Sequence, residues 1–581
     1  MNIREWDSWV HKNDKPGATD KAIKLVTAGI NRSRKLEEIE TKQIPTTKAA
    51  LVIGGGIAGC RAAMDLANLG IPVTLIEKQS SIGGHMTQLN KTFPTNECPQ
   101  CSISPLTNGV AHHKNITLLT MTEVKSVEGS FGNFEVELET RPRYVKDNCT
   151  SCNTCSENCP VEVPSEWDSG MSMRKAIYKL YPQAIPSTYV RDKKNCIECK
   201  TCINVCPVHA VDFSLKPEKK TIKVGSIVVA AGYDEYDPSE IDAYRYGQPG
   251  YEDIITQLQL ERMMNPVSLT GSAILRPSDG RVPKRVVMIQ CVGSRNEQVG
   301  MEYCTGVCCM FAIKNAQILK ENYPDMDVMI CYIDIRTPGL YYEEFYKKAQ
   351  KLGVKFIRGR PSEIQRNPLT GQLNVVVEDT LSMTPMEIKA DMVVLSAAMV
   401  PPKGIGILGS ALHVLRTKEG FLKGFHIKMN PTKSSKEGIF LAGAIQGPKD
   451  ITTSVAQAGS AAALAAAPLV QGYIEKEMLV PSVDESKCVN CGFCIQVCPA
   501  SAIKRNDQNQ IEVNAVSCKS CGLCQPGCPT GAIQLINFRE DELKDEILGL
   551  TGNKHHQHAG SAGTSERSEE RRVGKECRSR W

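Results

Sequence analysis

The chain has 581 residues, too many for one ordinary hydrophobic core, so we expect two to four domains. Hydrophobic residues make up 41% and charged residues 23%, which is the composition of a globular protein and excludes a mainly disordered chain. The formal net charge is +5, and so small an excess indicates neither a nucleic-acid partner nor a charged membrane surface.

We expect neither a targeting segment nor a membrane span. The first residues carry no basic cluster followed by an apolar run, so we expect no secretory signal peptide. No run of about 18 apolar residues is present. The alanine-rich run Val455–Val470 is too short and too weakly apolar to span a bilayer. We therefore expect a cytoplasmic protein without membrane insertion.

The sequence predicts several domains, which follow one another along the chain. A helical stretch at Ala22–Ile39 lies within an N-terminal extension over 1–47. An α/β domain follows in two parts, 48–145 and 216–480, with a cysteine-rich insertion over 146–215, a second cysteine-rich block over 481–540 and a tail over 541–581. In the second part we predict strands at Ser226–Ala231, Arg285–Ile289, Val328–Tyr332 and Met392–Ser396. We interpret residues 567–581 as translated sequencing-adapter DNA, and Lys554–His558 as a solvated tail rather than a metal site.

A glycine-rich turn follows the first strand of the α/β domain. Leu51–Ile53 runs into Gly-Gly-Gly-Ile-Ala-Gly, a helix follows, and Glu77 ends the next strand. Gly54 allows the tight turn, Gly56 lets a pyrophosphate approach the backbone, and Gly59 lets the helix and strand pack closely. The helix N-terminus stabilises phosphate charge, and Glu77 would accept a hydrogen bond from a ribose hydroxyl. These features predict a dinucleotide site.

Two later segments favour FAD over NAD as the dinucleotide. Residues 226–232 predict the strand and glycine turn that return toward a flavin, and residues 438–444 are similar to the closing flavin motif of thioredoxin-reductase-like proteins. Direct NAD(P)H oxidation is not expected, because Gln290–Ser294 stands where a second dinucleotide fingerprint would lie. The candidate cofactor-binding residues are Gly54, Gly56, Ile57, Ala58, Gly59, Glu77, Lys78, Gly84, Gly232 and Gly443.

The 25 cysteines are the strongest chemical signal. A secreted disulfide framework does not fit tight repeated clusters on a chain without a secretion signal. Four runs share the spacing CxxCxxCxxxCP, which indicates two ferredoxin-like domains with two [4Fe–4S] clusters each rather than structural zinc. In such a domain the fourth cysteine of each run binds the neighbouring cluster. The predicted ligand sets are Cys149, Cys152, Cys155 with Cys206; Cys196, Cys199, Cys202 with Cys159; Cys488, Cys491, Cys494 with Cys528; and Cys518, Cys521, Cys524 with Cys498.

Other cysteines leave alternatives open. The set Cys291, Cys304, Cys308 and Cys309 could hold a fifth cluster, form a redox disulfide, or consist of buried apolar thiols. The pair Cys98 and Cys101 fits partial ligation, a redox pair or inert packing equally well. Cys60 and Cys331 are predicted to lie in the core of a helix and a strand.

Several longer motifs resemble the iron–sulfur flavoprotein component of CoB–CoM heterodisulfide reductases, over roughly residues 1–540. The segments that carry the resemblance are Ile82–Met86, Lys91–Thr95, Gln290–Arg295, Asp334–Arg336 and Tyr342–Tyr346. The resemblance implies an α/β fold: a thioredoxin-reductase-like, Rossmann-type FAD-binding domain with an inserted and a C-terminal two-[4Fe–4S] ferredoxin domain. It also implies that the set beginning at Cys291 ligates a fifth [4Fe–4S] cluster.

The chain departs from this family pattern at two places. Relatives carry an N-terminal module with its own cluster, and Trp6-Asp7 stand here where we expect a cysteine, so the chain is either a shorter variant or the product of a truncated gene. Leu340 occupies a stretch in which many relatives carry a lysine near the flavin.

The resemblance implies an oxidoreductase component of anaerobic methanogenesis. No Ser/His/Asp or paired-carboxylate arrangement in the sequence indicates a catalytic side chain. The component would pass electrons between a donor, FAD and clusters toward disulfide reduction on partner subunits, with flavin-based bifurcation as an open option. The implied partners are the B and C subunits, a hydrogenase- or dehydrogenase-linked donor, ferredoxin, and a second copy of the chain in a homodimer. Two other functions stay open: a self-contained NAD(P)H-dependent disulfide reductase and a quinone-linked protein that only conducts electrons.

Overall fold

We describe a computed structural model over residues 2–268, 270–299 and 301–551. The predicted adapter-derived residues 567–581 and the stretch Lys554–His558 lie outside this range. The chain divides into two units, one of Gln43–Glu475 and one formed by Met1–Lys42 together with the residues from Lys476 onward. The unit boundaries fall within two strands, at Thr41–Pro45 and Tyr473–Glu477.

The helices and strands of the described residues alternate through most of the chain. The helices are α1 Lys15–Ser33, α2 Ile57–Asn68, α3 Pro99–His112, α4 Thr154–Glu157, α5 Thr201–Asn204, α6 Gln257–Met264, α7 Cys308–Asn322, α8 Tyr342–Lys351, α9 Ile405–Ala411, α10 Ile451–Gln471, α11 Phe493–Val497 and α12 Glu540–Thr551. The strands are β1 Thr41–Pro45, β2 Ala50–Ile53, β3 Val73–Glu77, β4 Ile116–Thr120, β5 Thr122–Ser130, β6 Asn133–Thr140, β7 Glu162–Pro164, β8 Met173–Lys175, β9 Ile177–Tyr178, β10 Val190–Arg191, β11 Glu218–Val224, β12 Ser226–Val229, β13 Asp234–Glu235, β14 Ile254–Thr256, β15 Arg285–Val292, β16 Asp327–Tyr332, β17 Lys355–Arg358, β18 Glu363–Arg366, β19 Leu373–Asp379, β20 Thr384–Ala390, β21 Met392–Ala397, β22 Met399–Val400, β23 Gly424–His426, β24 Asn430–Ser434, β25 Ile439–Leu441, β26 Tyr473–Glu477, β27 Pro481–Val483, β28 Ile503–Arg505, β29 Ile511–Val513 and β30 Ile533–Leu535.

The first sheet of the larger unit has a Rossmann-type parallel core. Its strand order is β23-β24-β25-β12-β2-β3-β4, and β2 pairs in parallel with both β3 and β12. The short apolar runs of β2 and β12 are buried along their whole length, as expected of strands covered on both faces. Helix α2 packs beside α10, and buried alanines such as Ala62 and Ala461 allow a close approach.

Helix α10 corrects one expectation from the sequence. Among the described residues it is the one helix that is long and apolar enough to cross a membrane by length and composition, which differs from the expectation that Val455–Val470 is too short and too weakly apolar. The helix begins earlier, at Ile451, because Asp450 caps it by accepting a hydrogen bond from the Thr453 backbone. Its buried alanines belong to the core around α2 and β12, which is the environment of a core helix.

A second parallel sheet has the strand order β14-β21-β15-β16-β17. Strand β15 is central and pairs in parallel with β16 on one side and β21 on the other. It continues beyond the predicted Ile289 to Val292 through an irregularity in its pairing with β21. The chain therefore reverses its strand order at the carboxyl end of β15, which is where open α/β sheets bind ligands.

The smaller unit corrects two predictions. Helix α1 begins at Lys15, capped by Asp14 whose side chain accepts from the Gly17 backbone at 3.0 Å, and it ends at Ser33 instead of Ile39. The residues after Ser33 leave the helix. The Glu37 backbone N–H donates to the Asn537 side-chain oxygen, and the Asn537 side-chain amide donates to the Glu37 carbonyl. The predicted tail begins with helix α12, whose acidic first turn suits a helix N-terminus.

Helices α1 and α12 pack directly against each other. A Cβ atom added at Gly549 would lie 2.6 Å from the Ala28 Cα, so the two helices cross at a contact between small residues. The Arg32 guanidinium donates to Glu546 at 2.8 Å and to the Asn537 carbonyl at 2.9 Å. Helices α1 and α12, which lie near the two ends of the described residues, therefore form one packed pair.

Candidate cofactor sites

The three glycines of the loop after β2 have different surroundings. Gly54 has φ +103°, and a Cβ there would lie 2.4 Å from the Ala230 carbonyl oxygen. A Cβ at Gly59 would lie 1.8 Å from the Gly54 oxygen, so this position admits only glycine. A Cβ at Gly56 would meet no atom within 4 Å. The open space at Gly56, at the N-terminus of α2, fits a pyrophosphate group.

Glu77 holds the glycine loop from the end of β3. Its Oε2 accepts a hydrogen bond from the Gly55 backbone at 2.7 Å, and its Oε1 accepts from the Gln79 backbone at 2.8 Å. Burial raises the pKa of the carboxyl, although these two hydrogen bonds oppose the shift. Each oxygen has a second lone pair, so Glu77 can still accept from a ribose hydroxyl. The adjacent Lys78 is exposed.

The structure brings the remaining predicted residues to the same edge of the first sheet. Gly84 lies against the Gly56 Cα, and a Cβ at Gly443 would lie 3.1 Å from the Ala58 Cβ. Ile57 and Ala58 form the first turn of α2, and Gly232 follows β12, the neighbour of β2. The predicted cofactor-binding residues therefore surround one loop.

Sequence reasoning missed two aromatic rings beside this loop. His85 stacks on Tyr233 with ring centroids 4.5 Å apart, and His85 Nε2 lies 2.9 Å from the Tyr233 carbonyl oxygen. Burial raises the pKa of the Tyr233 phenol. Their positions directly after Gly84 and Gly232 are the signal that could have identified them.

The inserted domain groups its cysteines into two sets. Cys159, Cys196, Cys199 and Cys202 line one cavity. Cys155 lies close to Cys149, Cys152 and Cys206 of its own predicted set, and also to Cys202 of the neighbouring set. Burial raises the pKa of Cys155 to about 12 and that of Cys202 to about 11. The cavity thus joins three cysteines of one run with the last cysteine of the other, as the spacing predicts for that set.

The C-terminal domain has the same arrangement. Cys488, Cys491, Cys494 and Cys528 line one cavity together with apolar side chains. Cys524 lies close to Cys518, Cys521 and Cys498. Burial raises the pKa of Cys524 to about 11.

These sets differ from the site of a single metal ion. Within the described ranges, no group of three or more His, Cys, Asp or Glu side chains closes around one ion. The four ligands of a cubane bind four different irons and therefore stand further apart than the ligands of one zinc ion. A [4Fe–4S] cluster takes four thiolates as its protein ligands, so the donor chemistry of these sets fits such clusters.

The set that begins at Cys291 lies at the carboxyl end of β15. Cys308 and Cys309 open helix α7, and a hydrogen bond with Cys308 lowers the pKa of Cys291 to about 7. Cys291 has φ +60°, an unusual backbone conformation for a residue other than glycine, and Cys304 accepts from the Gly306 backbone at 3.3 Å. The hydrogen bond with Asp334 raises the pKa of the Arg295 guanidinium most. The thiolates of Cys291 and Cys304 raise it further, so Arg295 lies close to both cysteines. The structure thus gathers the four cysteines at the switch point of the second sheet.

The other cysteines divide into exposed and buried ones. Cys98 and Cys101 are exposed at the N-terminus of α3. Burial opposes ionisation of Cys98, but hydrogen bonds with Cys101 outweigh it and lower the pKa of Cys98. Cys60 and Cys331 are buried within α2 and β16, as predicted.

Comparison with known proteins supports these assignments of fold and chemistry. Residues 148–211 and 481–535 each match a 4Fe-4S dicluster domain family, and residues 52–103 match an NAD(P)-binding Rossmann-like domain family. The chain is 49% identical over 561 residues to the first iron-sulfur A-type subunit of the CoB–CoM heterodisulfide reductase of Methanopyrus kandleri, covering 95% of this chain and 84% of that one. It is 49% identical over 511 residues to the A-type subunit of the H2/formate:CoB-CoM heterodisulfide,ferredoxin reductase of Methanococcus maripaludis, covering 88% and 77%.

Among solved structures, a thioredoxin reductase from T. acidophilum aligns with a TM-score of 0.39 and 13% identity, over 72% of this chain and 98% of that one. At that distance the likeness carries no conclusion about function.

The Rossmann-type sheet, the open glycine loop and the cysteine sets together define an iron–sulfur flavoprotein that binds FAD and several [4Fe–4S] clusters. The identity to full-length relatives defines the family more closely. The chain belongs to the family of A-type iron–sulfur subunits of CoB–CoM heterodisulfide reductase, and it is part of an oxidoreductase.

Proposed function

We propose that this chain conducts electrons between FAD and five [4Fe–4S] clusters within a heterodisulfide-reductase-type complex. One observation carries the proposal: the same chain contains an open glycine loop at Gly56 and cavities lined by cysteines from two CxxCxxCxxxCP runs. When bound, FAD exchanges electron pairs and the clusters take single electrons. The protein residues hold these groups and set their potentials.

The proposed ligands follow the grouping of the thiols. They are Cys149, Cys152, Cys155 and Cys206; Cys159, Cys196, Cys199 and Cys202; Cys488, Cys491, Cys494 and Cys528; and Cys498, Cys518, Cys521 and Cys524. FAD would be held by the loop 54–59, with Glu77 at the ribose.

The fifth cluster is proposed at the Cys291 set. A dinucleotide in an open α/β sheet binds at the carboxyl end of the central strand, and here that place holds four thiols instead of a glycine turn. The adjacent Cys308 and Cys309 would be strained as a disulfide, because neighbouring residues seldom reach the preferred disulfide geometry. As ligands of a cluster, two adjacent thiolates carry no such strain.

Anaerobic iron and sulfide analysis of the full chain tests the number of clusters. Five cubanes require about twenty irons and four require about sixteen. The variant Cys308→Ala/Cys309→Ala should lose about four irons and one component of the low-temperature EPR spectrum. Cys331→Ala, which removes a buried cysteine outside every proposed set, is the matched control and should keep the parent's iron content. Parent iron content in the double variant would contradict the fifth site.

The partners are proposed from the names of the relatives. The name of the Methanococcus maripaludis relative includes H2, formate and ferredoxin, which supports a hydrogenase- or formate-dehydrogenase-linked donor and ferredoxin as a partner of this chain. The B and C subunits would carry the disulfide chemistry, and we propose a cytoplasmic complex in which this chain forms a homodimer. Flavin-based bifurcation stays part of the proposal as an activity of the assembled complex.

A further inference from the structure

The two ferredoxin domains are internal repeats, so each cluster site can be compared with the others in the same chain. A short extended segment precedes each cysteine run, and one of its residues pairs with another extended segment of the same domain. At three sites the pairs are Val145 with Val211, Val483 with Ile533, and Val513 with Ile503. At the fourth site the corresponding residue is Arg191, which pairs with Ile177. Three sites thus carry valine where the fourth carries a cation.

Arg191 is buried with an unsatisfied donor. Its side chain is 2% exposed, and its guanidinium lies 3.7 Å from the centre of the Phe213 ring. Its Nη2 donates to Glu198 Oε1, whereas its Nε–H has no hydrogen-bond partner among the described residues. A buried N–H without an acceptor costs free energy, so an acceptor is expected in its vicinity.

The missing acceptor is expected in the cavity of the cluster. Arg191 lines the same cavity as Cys159, Cys196, Cys199 and Cys202, and the other cation described on that wall, Lys200, is exposed. A cluster held by these four cysteines would supply sulfur acceptors within the cavity that Arg191 lines. By contrast, the described residues that line the cavity of the Cys488 set include no charged side chain.

A buried cation changes the energy of adding an electron to a cluster. Reduction adds one negative charge, and a nearby positive charge stabilises it more where little water screens the interaction. Hydrogen bonds to the sulfurs and local charge are among the factors that set cluster potentials. Glu198 opposes this effect only weakly, because its side chain is 62% exposed and solvent screens its charge.

We propose that Arg191 raises the reduction potential of the [4Fe–4S] cluster held by Cys159, Cys196, Cys199 and Cys202, and so makes it the preferred electron acceptor of the inserted domain. The proposal rests on the ligand sets assigned above. The step is the transfer of one electron to the cluster from its redox neighbour in the complex. No bond forms or breaks, and Arg191 keeps its proton.

The test is an EPR-monitored potentiometric titration of the full chain with all of its clusters. Arg191→Gln keeps the polar side chain and removes the charge. In this variant the reduction potential of one cluster should become more negative by at least about 59 mV. That shift is a tenfold change in the equilibrium constant for a one-electron reduction. The other steps should stay at the parent potentials. Arg191→Lys, which keeps the charge, should show a smaller shift.

Arg174→Gln is the matched control. Arg174 stacks on Tyr178 at 3.7 Å in the same domain, and it does not line the cavity. This variant should keep the parent potentials. An Arg191→Gln protein with full iron content and unchanged potentials would overturn the proposal, and so would an equal shift in Arg174→Gln.

A second variant covers the case in which Arg191→Gln loses the cluster. Glu198→Gln alters an exposed side chain and removes the carboxylate that partly offsets the guanidinium. The same step should then move to a more positive potential, and no shift or a negative shift would contradict the proposal. Iron analysis of the parent protein tests the ligand assignment separately. A parent protein that lacks the expected iron contradicts the assignment of the ligands, whereas a parent with full iron content leaves only the role of Arg191 in question.

Discussion

At the scale of single residues, valine at two glycines of the cofactor loop should have different effects on flavin binding and on stability. Gly56→Val places its side chain in open space, and the backbone there has an ordinary negative φ. The variant should fold with the parent's stability and lose FAD, because the side chain occupies the position of the pyrophosphate. The flavin content of the purified protein and its thermal unfolding measure both effects. Stoichiometric flavin in a folded Gly56→Val protein would contradict the assignment of this loop.

Gly59→Val provides the contrast. A Cβ at Gly59 would overlap the Gly54 carbonyl oxygen, so the loop and helix α2 would have to move apart. We expect this variant to be destabilised by about 2 kcal/mol or more, in line with the costs of overpacking a core. Flavin loss in this variant should therefore come with a lower unfolding temperature, and the pair separates blocked binding from misfolding.

The role of a residue could be predicted from the sequence where the spacing of a motif determines the local backbone geometry. The spacing of Gly54, Gly56 and Gly59 indicates which position must stay open, and the structure shows that open space. Arg191 could not be identified in this way. Its burial depends on Phe213 and Glu198, and only the fold brings these side chains around it.

At the scale of elements, a buried ion pair joins helices α6 and α7. Glu261 and Lys314 are almost completely buried and hydrogen-bonded to each other, and burial lowers the pKa of the lysine. Lys314 also donates to the Lys91 carbonyl at 2.8 Å, and Glu261 accepts from the Asn90 backbone at 2.6 Å. The pair thus fixes the helix that begins with Cys308 against the segment after Gly84.

Breaking this pair should be costly. Lys314→Met leaves the Glu261 carboxylate buried without its cation, so we expect a loss of about 3–5 kcal/mol in the free energy of unfolding. The double variant Lys314→Met/Glu261→Gln should recover much of that loss, because no buried charge remains. Thermal unfolding of the parent, single and double variants measures the effect. The exposed pair Lys348 and Glu321 provides the control, since Lys348→Met should change stability by less than about 1 kcal/mol.

Strands were easier to predict than helix ends. The buried apolar run at Met392–Ser396 appears as β21, one residue longer, because continuous apolar runs have few alternatives in a parallel sheet. Helix α1 lies about six residues earlier than predicted, and α12 was assigned to a tail. Both errors concern charged, weakly apolar stretches, whose limits depend on tertiary partners such as Asn537 and Glu546.

At the scale of the whole molecule, the chain has binding sites for electron carriers and no predicted catalytic side chain. We expect that the isolated chain does not reduce a disulfide substrate steadily when an artificial dye supplies electrons. Addition of the partner subunits should restore reduction. Thiol release with reduced methyl viologen as donor is the measurement.

The exposed pair Cys98 and Cys101 makes this experiment more specific. If the isolated chain does release thiols, the variant Cys98→Ser/Cys101→Ser shows whether this pair is responsible. Activity that disappears with that variant would place disulfide chemistry on this chain and contradict its role as a conductor alone.

The packing of α1 against α12 also bears on how the protein is made. Glu37 and Asn537 are hydrogen-bonded across 500 residues of sequence. At translation speeds of about 5–20 residues per second, the ribosome needs roughly 25–100 s between these two positions. Until α12 is synthesised, Ala28 of the nascent chain lacks the helix that contacts it, whereas the residues of the larger unit have all been synthesised by the time Asn537 is added. The smaller unit is therefore completed only after the larger one, although α1 is synthesised before it.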